Sequence, residues 1–133
     1  HGEPRHHDEG RHDILFGDPK WDDFDFAFEV RRLKGEPWGY AAYYHAKDFN
    51  NLLAFWYGRY GGPPAGWSEV SRLVHSRPSR DPGNQYCQLS PHMELGRWYK
   101  VHVSARNNRI VCQMDDRTWY DYTDATFTSG RVG

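Results

Sequence analysis

The chain has 133 residues, 17 of them basic and 18 acidic, so its formal net charge is −1. This length fits one domain with a real core, and the charge gives no general attraction to nucleic acid or to an anionic membrane surface. No apolar run approaches the roughly 20 residues that a membrane-spanning helix needs. We therefore expect neither a nucleic-acid partner nor a membrane span.

The first thirteen residues, "HGEPRHHDEGRHD", are polar, contain four histidines and show no hydrophobic period. They predict a flexible, His-rich arm over residues 1–13, followed by a single domain over residues 14–133. His1, His6 and His7 are candidate ligands for copper or zinc, because a terminal amine and imidazoles suit these metals. The arm has no regular element that would fix ligand geometry, so an arm without metal is the alternative.

Strand patterns begin after the arm. "WDDFDFAFEV" alternates strictly between polar and apolar residues, which is typical of a half-buried strand. "YAAYYHA" and "LLAFWYG" predict the next two strands, joined by a turn that contains Asp48. A Gly- and Pro-rich loop is predicted over residues 58–67. "SEVSRLVHS" is either a short strand, which we favour, or a single helical turn, and "QYCQL" is a short strand beyond a second loop.

The C-terminal part also alternates. "WYKVHVSA" and "RIVCQM" are separated by "RNN", a hairpin signal because Asn tolerates left-handed backbone, and one further strand follows. About eight short strands and no convincing helical period predict an all-β, antiparallel β-sandwich. Cys87 and Cys112 are in phase with apolar neighbours, which favours buried thiols; a disulfide requires that their strands be neighbours.

"RWYKVHVSARNNRIVCQMDDRTWYDYTDATFTSGRVG", together with "FDFAFEVRRL" and "YYHAKDFNNLLAF", resembles concanavalin A-like jelly rolls. The resemblance covers roughly residues 14–133 and is nearest to the laminin-G-like and 3-keto-disaccharide-hydrolase-like branch, related in fold to family 16 glycoside hydrolases. It implies a secreted, periplasmic or cell-surface protein. Members of this fold usually continue past Gly-x-Val-Gly into a last strand, so we expect an open sheet edge where this chain ends at Gly133.

The resemblance also raises glycoside hydrolysis. Asp23, Asp25 and Glu29 share one face of one strand, and "DFDFAFE" imitates the carboxylate pattern of family 16 enzymes with Asp in first place. Asp25 and Glu29 are the candidate catalytic pair. Alternating acidic residues also suit a solvent-facing strand, and the Asn-Ser-Gly segment typical of the hydrolase-like members is absent from "GEPWGYAAYY".

Placing Tyr44, Leu53, Phe55, Val101 and Val103 inward leaves a second set of side chains pointing outward beside the two candidate carboxylates. That set is predicted to form one ligand-binding face and consists of Tyr43, His45, Trp56, His102, Arg31 and Lys100. Aromatic rings stack on the apolar C–H faces of sugars, while the polar groups bond hydroxyls. The alternative is that another part of the protein covers this face and the aromatic residues are buried structurally.

Three functions follow as hypotheses. The preferred one is a non-catalytic module that binds carbohydrate or a neighbouring protein. The second is a glycoside-processing hydrolase that uses Glu29 with Asp25 and a nearby histidine, and the third is a structural subunit completed by strand addition. None of them requires a cofactor, although Asp48 in an Asp/Asn-rich turn is a candidate calcium ligand.

Overall fold

The computed structural model describes residues 13–33, 39–58, 65–75, 77–78, 86–91 and 93–133. Within these ranges the chain forms nine strands and no helix. The strands are β1 (Phe24–Arg31), β2 (Tyr40–Asp48), β3 (Asn51–Tyr57), β4 (Ala65–Val74), β5 (Arg77–Pro78), β6 (Tyr86–Pro91), β7 (Trp98–Arg106), β8 (Arg109–Met114) and β9 (Arg117–Thr123). A search of the same residues for a helix able to cross a membrane finds none.

The strands form two antiparallel sheets. The first has the order β1-β7-β8-β9, and the second has the order β2-β3-β4, with both β5 and β6 paired to the far edge of β4. Apolar side chains from both sheets meet in one buried cluster, which is the arrangement of a sandwich. The predicted all-β, antiparallel β-sandwich is confirmed.

The core follows from the period of two along each strand. Inward positions of β7 and β8 carry small or branched apolar residues, and the outward positions between them are polar or partly exposed. The five residues predicted to point inward, Tyr44, Leu53, Phe55, Val101 and Val103, all belong to this core and are fully buried. Their placement is therefore confirmed.

Two tight turns connect the last three strands. Asn107 and Asn108 both have positive φ, as do Asp115 and Asp116 in the next turn. Two successive left-handed residues match the twist of a two-residue hairpin, and Asn and Asp tolerate this backbone better than most residues. The hairpin signal read from "RNN" is confirmed.

The second sheet differs from the prediction in one region. Strand β4 begins at Ala65, inside the loop predicted over residues 58–67, although Gly66 lies within it. The physical reason is long-range pairing: residues 65–70 pair with β6, and residues 68–73 pair with β3. Pairing with β6 therefore extends the strand through Gly66, although glycine disfavours a strand locally.

The end of the chain pairs with the edge of β2. The backbone nitrogen of Arg131 donates to the oxygen of Ala46 at 2.9 Å, and that of Tyr43 donates to the oxygen of Gly133 at 2.7 Å. On its other side this segment bonds Phe16, whose nitrogen donates to the oxygen of Val132 at 2.8 Å. Residues 131–133 therefore lie between the edge of β2 and Phe16. The open sheet edge expected beyond Gly133 stays a prediction.

The two cysteines lie in different sheets. Cys112 is on β8, whereas Cys87 is on β6, so the neighbouring strands that a disulfide would need are not present. Cys112 is a free thiol, fully buried as predicted, and burial raises its pKa well above the ordinary value. It is a core residue rather than a nucleophile.

Gly130 and Gly96 provide a matched test of the C-terminal pairing, because both have positive φ. A Cβ added at Gly130 would lie 2.5 Å from the backbone nitrogen of Ala46, whereas one added at Gly96 meets nothing within 4 Å. We expect Gly96→Ala to lower the free energy of unfolding by about 1 kcal/mol. Gly130→Ala should lower it by roughly 3 kcal/mol or more, since backbone must move. Urea denaturation measures both, and equal losses would contradict this account of the edge.

Candidate functional site

The outward side of the first sheet carries a continuous polar surface, here called the polar face. Even spacing along each strand places its members on one side. It comprises Asp25, Glu29 and Arg31 from β1, Trp98, Lys100, His102 and Arg106 from β7, and Gln113 from β8. Five of the eight sequence-predicted site residues are therefore brought together here.

A chain of hydrogen bonds crosses the polar face. His102 lies between two acceptors: its Nε2 is 3.0 Å from Asp25 Oδ1, and its Nδ1 is 3.2 Å from Gln113 Oε1. The Gln113 amide nitrogen in turn donates to Thr118 Oγ1 at 3.2 Å. These bonds fix the orientation of the imidazole and the amide, so the two groups are preorganised for a ligand.

Asp25 is engaged from two sides. The Arg106 guanidinium bonds its Oδ2 and also donates to the backbone oxygen of Phe24 at 2.8 Å. The hydrogen bond from Arg106, followed by that from His102, outweighs partial desolvation and holds the pKa of Asp25 below its ordinary value. Asp25 is thus a fixed, ionised acceptor that positions His102.

Trp98 provides the aromatic element of the polar face. Its side chain is 55% exposed, and the Arg31 guanidinium carbon lies 4.7 Å from the ring centre. This cation–π contact holds the ring in place. Glu29 and Lys100 are opposite each other in the adjacent rung, and neither side chain has a partner among the residues that the structure describes. Within the described part of the chain, Glu29 and Lys100 thus offer two charged groups next to Trp98.

The two candidate catalytic carboxylates, Asp25 and Glu29, lie on the same side of β1. Asp25 and Glu29 are four residues apart on β1, which separates their Cα atoms by about 13 Å. Paired carboxylates in glycosidases are only roughly 5 to 9.5 Å apart, and Asp25 is held by Arg106. Asp23 has a structural role, since its Oδ1 accepts the backbone nitrogen of Asn107 at 3.0 Å. The ion pair with Arg106 gives Asp25 a partner other than Glu29, and a catalytic role of the two carboxylates stays a prediction.

Tyr43 and Trp56 are on a different surface from the one predicted. They point outward from the second sheet, and they are only 3% and 9% exposed. Leu15 and Phe49 pack in the same cluster, the Trp56 indole donates to Ser71 Oγ at 2.8 Å, and the Tyr43 hydroxyl donates to Asp13 at 3.2 Å. The prediction that Tyr43 and Trp56 share one face with His102 and Lys100 is wrong, because β2 and β3 belong to one sheet and β7 to the other. The alternative stated in the sequence analysis, that these aromatic residues are buried for structural reasons, is correct for both rings.

His45 is displaced by a bulge in β2. The pairing with β3 shifts between Tyr44 and Asp48, and His45 has a φ of 44°. As a result its ring turns inward after Tyr44: it is fully buried, lies edge-on to Phe24 at 5.4 Å, and has Nε2 2.7 Å from the Asp22 oxygen. The prediction that His45 lies on the ligand face is wrong, since strict alternation fails at the bulge.

The structure gives no support to the metal hypotheses. Asp48 Oδ1 accepts the backbone nitrogen of Asn50 at 2.7 Å and the side-chain nitrogen of Asn51 at 3.1 Å, which accounts for the turn without an ion. In the described residues, no group of three or more His, Cys, Asp or Glu residues could hold a metal. His1, His6 and His7 lie outside the described residues, so the arm and its metal stay predictions.

Sequence reasoning missed Trp98, Arg106 and Gln113. The signal for Trp98 was present: it is two residues before Lys100 and four before His102, so a period of two places all three on one side. Gln113 lies on the same side of the sheet, because it is paired directly with His102 on the neighbouring strand. The hairpin predicted from "RNN" also sets Gln113 opposite His102. What the sequence pattern could not show is that β7 pairs with β1 on its other side.

Two solved structures are similar to this chain. The carbohydrate-binding module CBM66 from Bacillus subtilis superposes with a TM-score of 0.57 at 15% sequence identity, over 85% of this chain and 66% of that module. Sheep galectin-11, solved in complex with glycerol, superposes with a TM-score of 0.61 at 6% identity, over 90% of this chain and 86% of that chain. At these identities the likeness establishes a lectin-type β-sandwich fold.

No protein-family model matches the chain, and no curated protein matches it significantly. The chain spans 66% of the CBM66 structure, just under two thirds. The narrower resemblance to the 3-keto-disaccharide-hydrolase-like branch and to family 16 glycoside hydrolases gains no support from these comparisons and stays a prediction.

Two ion pairs of the first sheet, Asp25–Arg106 and Asp121–Arg109, predict a pH response. The pKa values of Asp25 and Asp121 are both lowered, chiefly by hydrogen bonds from Arg106 and Arg109 respectively. Each carboxylate therefore stabilises the folded state above its unfolded-state pKa, and this contribution is lost as the pH falls through the lower folded-state pKa. By NMR titration, Arg106→Ala should raise the pKa of Asp25 and leave that of Asp121 unchanged.

Arg109→Ala is the matched control, because Arg109 contacts Asp121 in two hydrogen bonds of 2.9 and 2.6 Å. It should raise the pKa of Asp121 and leave Asp25 titrating as before. If Arg106→Ala left the Asp25 midpoint unmoved, the arrangement of the polar face described above would be incorrect.

Proposed function

We propose that this domain is a non-catalytic module that binds carbohydrate on the polar face. The observation that carries the proposal is the exposed Trp98 ring, held by Arg31 on the same face as the ordered His102. Sugar rings need an apolar platform for their C–H faces and fixed polar groups for their hydroxyls. The polar face supplies both.

The dimensions of the face suit an oligosaccharide. Trp98 and His102 are four residues apart on β7, about 13 Å along the strand. Lys100 lies between them, and Glu29 lies opposite Lys100 on β1. A ring stacked on Trp98 would thus place neighbouring sugar units above Lys100 and His102, and the Lys100 ammonium can donate to their hydroxyls. Glu29 and Gln113 offer acceptors on either side.

The comparisons support this proposal at the level of fold. Both similar proteins are lectin-type β-sandwiches, and one is described as a carbohydrate-binding module. Binding without catalysis is the preferred form of the proposal because Asp25 is engaged by Arg106 and His102. A location outside the cytoplasm belongs to the same proposal and rests on the sequence resemblance alone.

Trp98→Ala tests the proposal directly. Removal of the stacking surface should weaken retention of the protein in polyacrylamide gels that contain polysaccharide by about tenfold, since an aromatic contact contributes roughly 1 kcal/mol beyond the area that it buries. The gels should contain β-glucan, xylan, galactan and fructan in turn. Folding of the variant is checked by thermal unfolding, which an exposed ring should change little.

Two other tryptophans serve as controls. Trp21 is also exposed, at 43%, but does not belong to the polar face, so Trp21→Ala should keep wild-type retention. Trp56 is buried and bonded to Ser71, so Trp56→Ala should lower stability by about 3 kcal/mol or more. Retention of Trp98→Ala equal to wild type, or the absence of retention on all four polysaccharides, would count against the proposal.

A further inference from the structure

Strand β1 forms one edge of the first sheet. Its only strand partner among the residues that the structure describes is β7. Phe26, Phe28 and Val30 point toward the interior yet are only partly buried. Phe16, which is 46% exposed, lies against Phe26 with ring centroids 5.6 Å apart. These four residues form an apolar strip beside the edge, here called the β1 strip.

The opposite edge of the same sheet is finished differently. On β9 the inward residues Tyr120 and Tyr122 are buried, and both hydroxyls are hydrogen-bonded. A bulge also interrupts the pairing of β8 with β9 next to Gln113. The inward side chains of an edge strand in this protein can thus be fully covered, as those of β9 are. The exposure of the β1 strip is a property of that side of the sandwich.

Of the features that usually prevent edge-to-edge pairing, strand β1 has only charged side chains on its outer side, Asp25, Glu29 and Arg31. It has eight residues, contains no proline, and keeps an unbroken register with β7 from Phe24 to Arg31. Natural edge strands are commonly short, bulged, or protected by proline or inward-pointing charges. A long and regular edge with an apolar strip beside it can accept another strand.

We propose that β1 pairs antiparallel with β1 of a second copy of this chain, joining the two first sheets across a two-fold axis. Directly opposed residues of an antiparallel pair have their side chains on the same side of the sheet. Along one strand such residues are an even number of positions apart, so the two-fold axis passes through the residue midway between them. With the axis at Phe28, Asp25 of one copy is opposite Arg31 of the other. Phe26 is then opposite Val30, and Phe28 meets its own copy.

The charges select this register over its neighbour. With the axis at Ala27, Asp25 would be opposite Glu29 twice, and like charges directly opposite are destabilising. With the axis at Phe28, Ala27 is opposite Glu29 and the opposite charges of Asp25 and Arg31 face each other twice. The same register brings the apolar residues of the two β1 strips together, which removes them from water.

Cysteine cross-linking tests the register. Ala27 and Glu29 are both exposed, so Ala27→Cys and Glu29→Cys should fold normally. A mixture of the two variants under mild oxidation should give disulfide-linked heterodimers, since directly opposed Cβ atoms lie within reach of a disulfide. Each variant alone should give little covalent dimer. The unsubstituted chain, with Cys87 and Cys112, is the control for background oxidation.

Sedimentation velocity tests the dimer itself. The unsubstituted chain should show a mass that rises with concentration to that of a dimer. Arg31→Glu places two like-charged pairs across the axis and should weaken association by roughly tenfold. Arg117→Glu makes the same charge change at the β9 edge and should leave association unchanged. A chain that stays monomeric at several hundred micromolar, or Ala27→Cys that cross-links alone as readily as the mixture, would overturn the proposal.

Discussion

The relative position of the two sheets depends on tyrosine hydrogen bonds that cross an otherwise apolar interior. The Tyr44 hydroxyl on β2 meets the Tyr122 hydroxyl on β9, and the Tyr120 hydroxyl donates to the Ser68 oxygen on β4 at 2.8 Å. Burial raises the pKa values of Tyr44 and Tyr122 well above the ordinary value, so both phenols stay neutral. A buried hydroxyl without a partner would cost roughly 1–3 kcal/mol. Sliding one sheet over the other would therefore break these pairs, whereas purely apolar contacts would permit it.

The polar face follows from this constraint. Once Val101 and Val103 are committed to the interior, the period of two leaves Trp98, Lys100 and His102 no alternative but the outer side of β7. The sequence was sufficient to predict that much, together with the five core residues and the Asn hairpin. The two hairpins were predictable, but the sheet to which each hairpin belongs was not, because a strand pattern shows only which side of a strand is apolar. Tyr43 and Trp56 were placed beside His102 for that reason, although their strands lie across the core.

The bulge at His45 shows a second limit. Alternation predicts that successive residues point to opposite sides, and Tyr43 and Tyr44 obey this rule. His45 does not, because its left-handed backbone inserts one extra residue before Ala46 turns outward again. The same region receives Arg131 and Gly130 from the end of the chain. The bulge thus lies beside a contact between residues more than eighty positions apart in the sequence. The local sequence "YYHAKD" contains no pattern that predicts it.

The two proposals concern the same sheet and reinforce each other physically. Pairing through β1 would extend the first sheet from one copy into the next, so the two polar faces would lie on the same side of one continuous surface. Because the strands run antiparallel, the two Trp98 platforms would lie at opposite ends of the joined strands. A long polysaccharide could contact both, and the second contact would then occur at high effective concentration. A single shallow face with one stacking ring binds sugar weakly, since few groups are desolvated. Joining two such faces is a direct way for this fold to gain avidity without a deeper site.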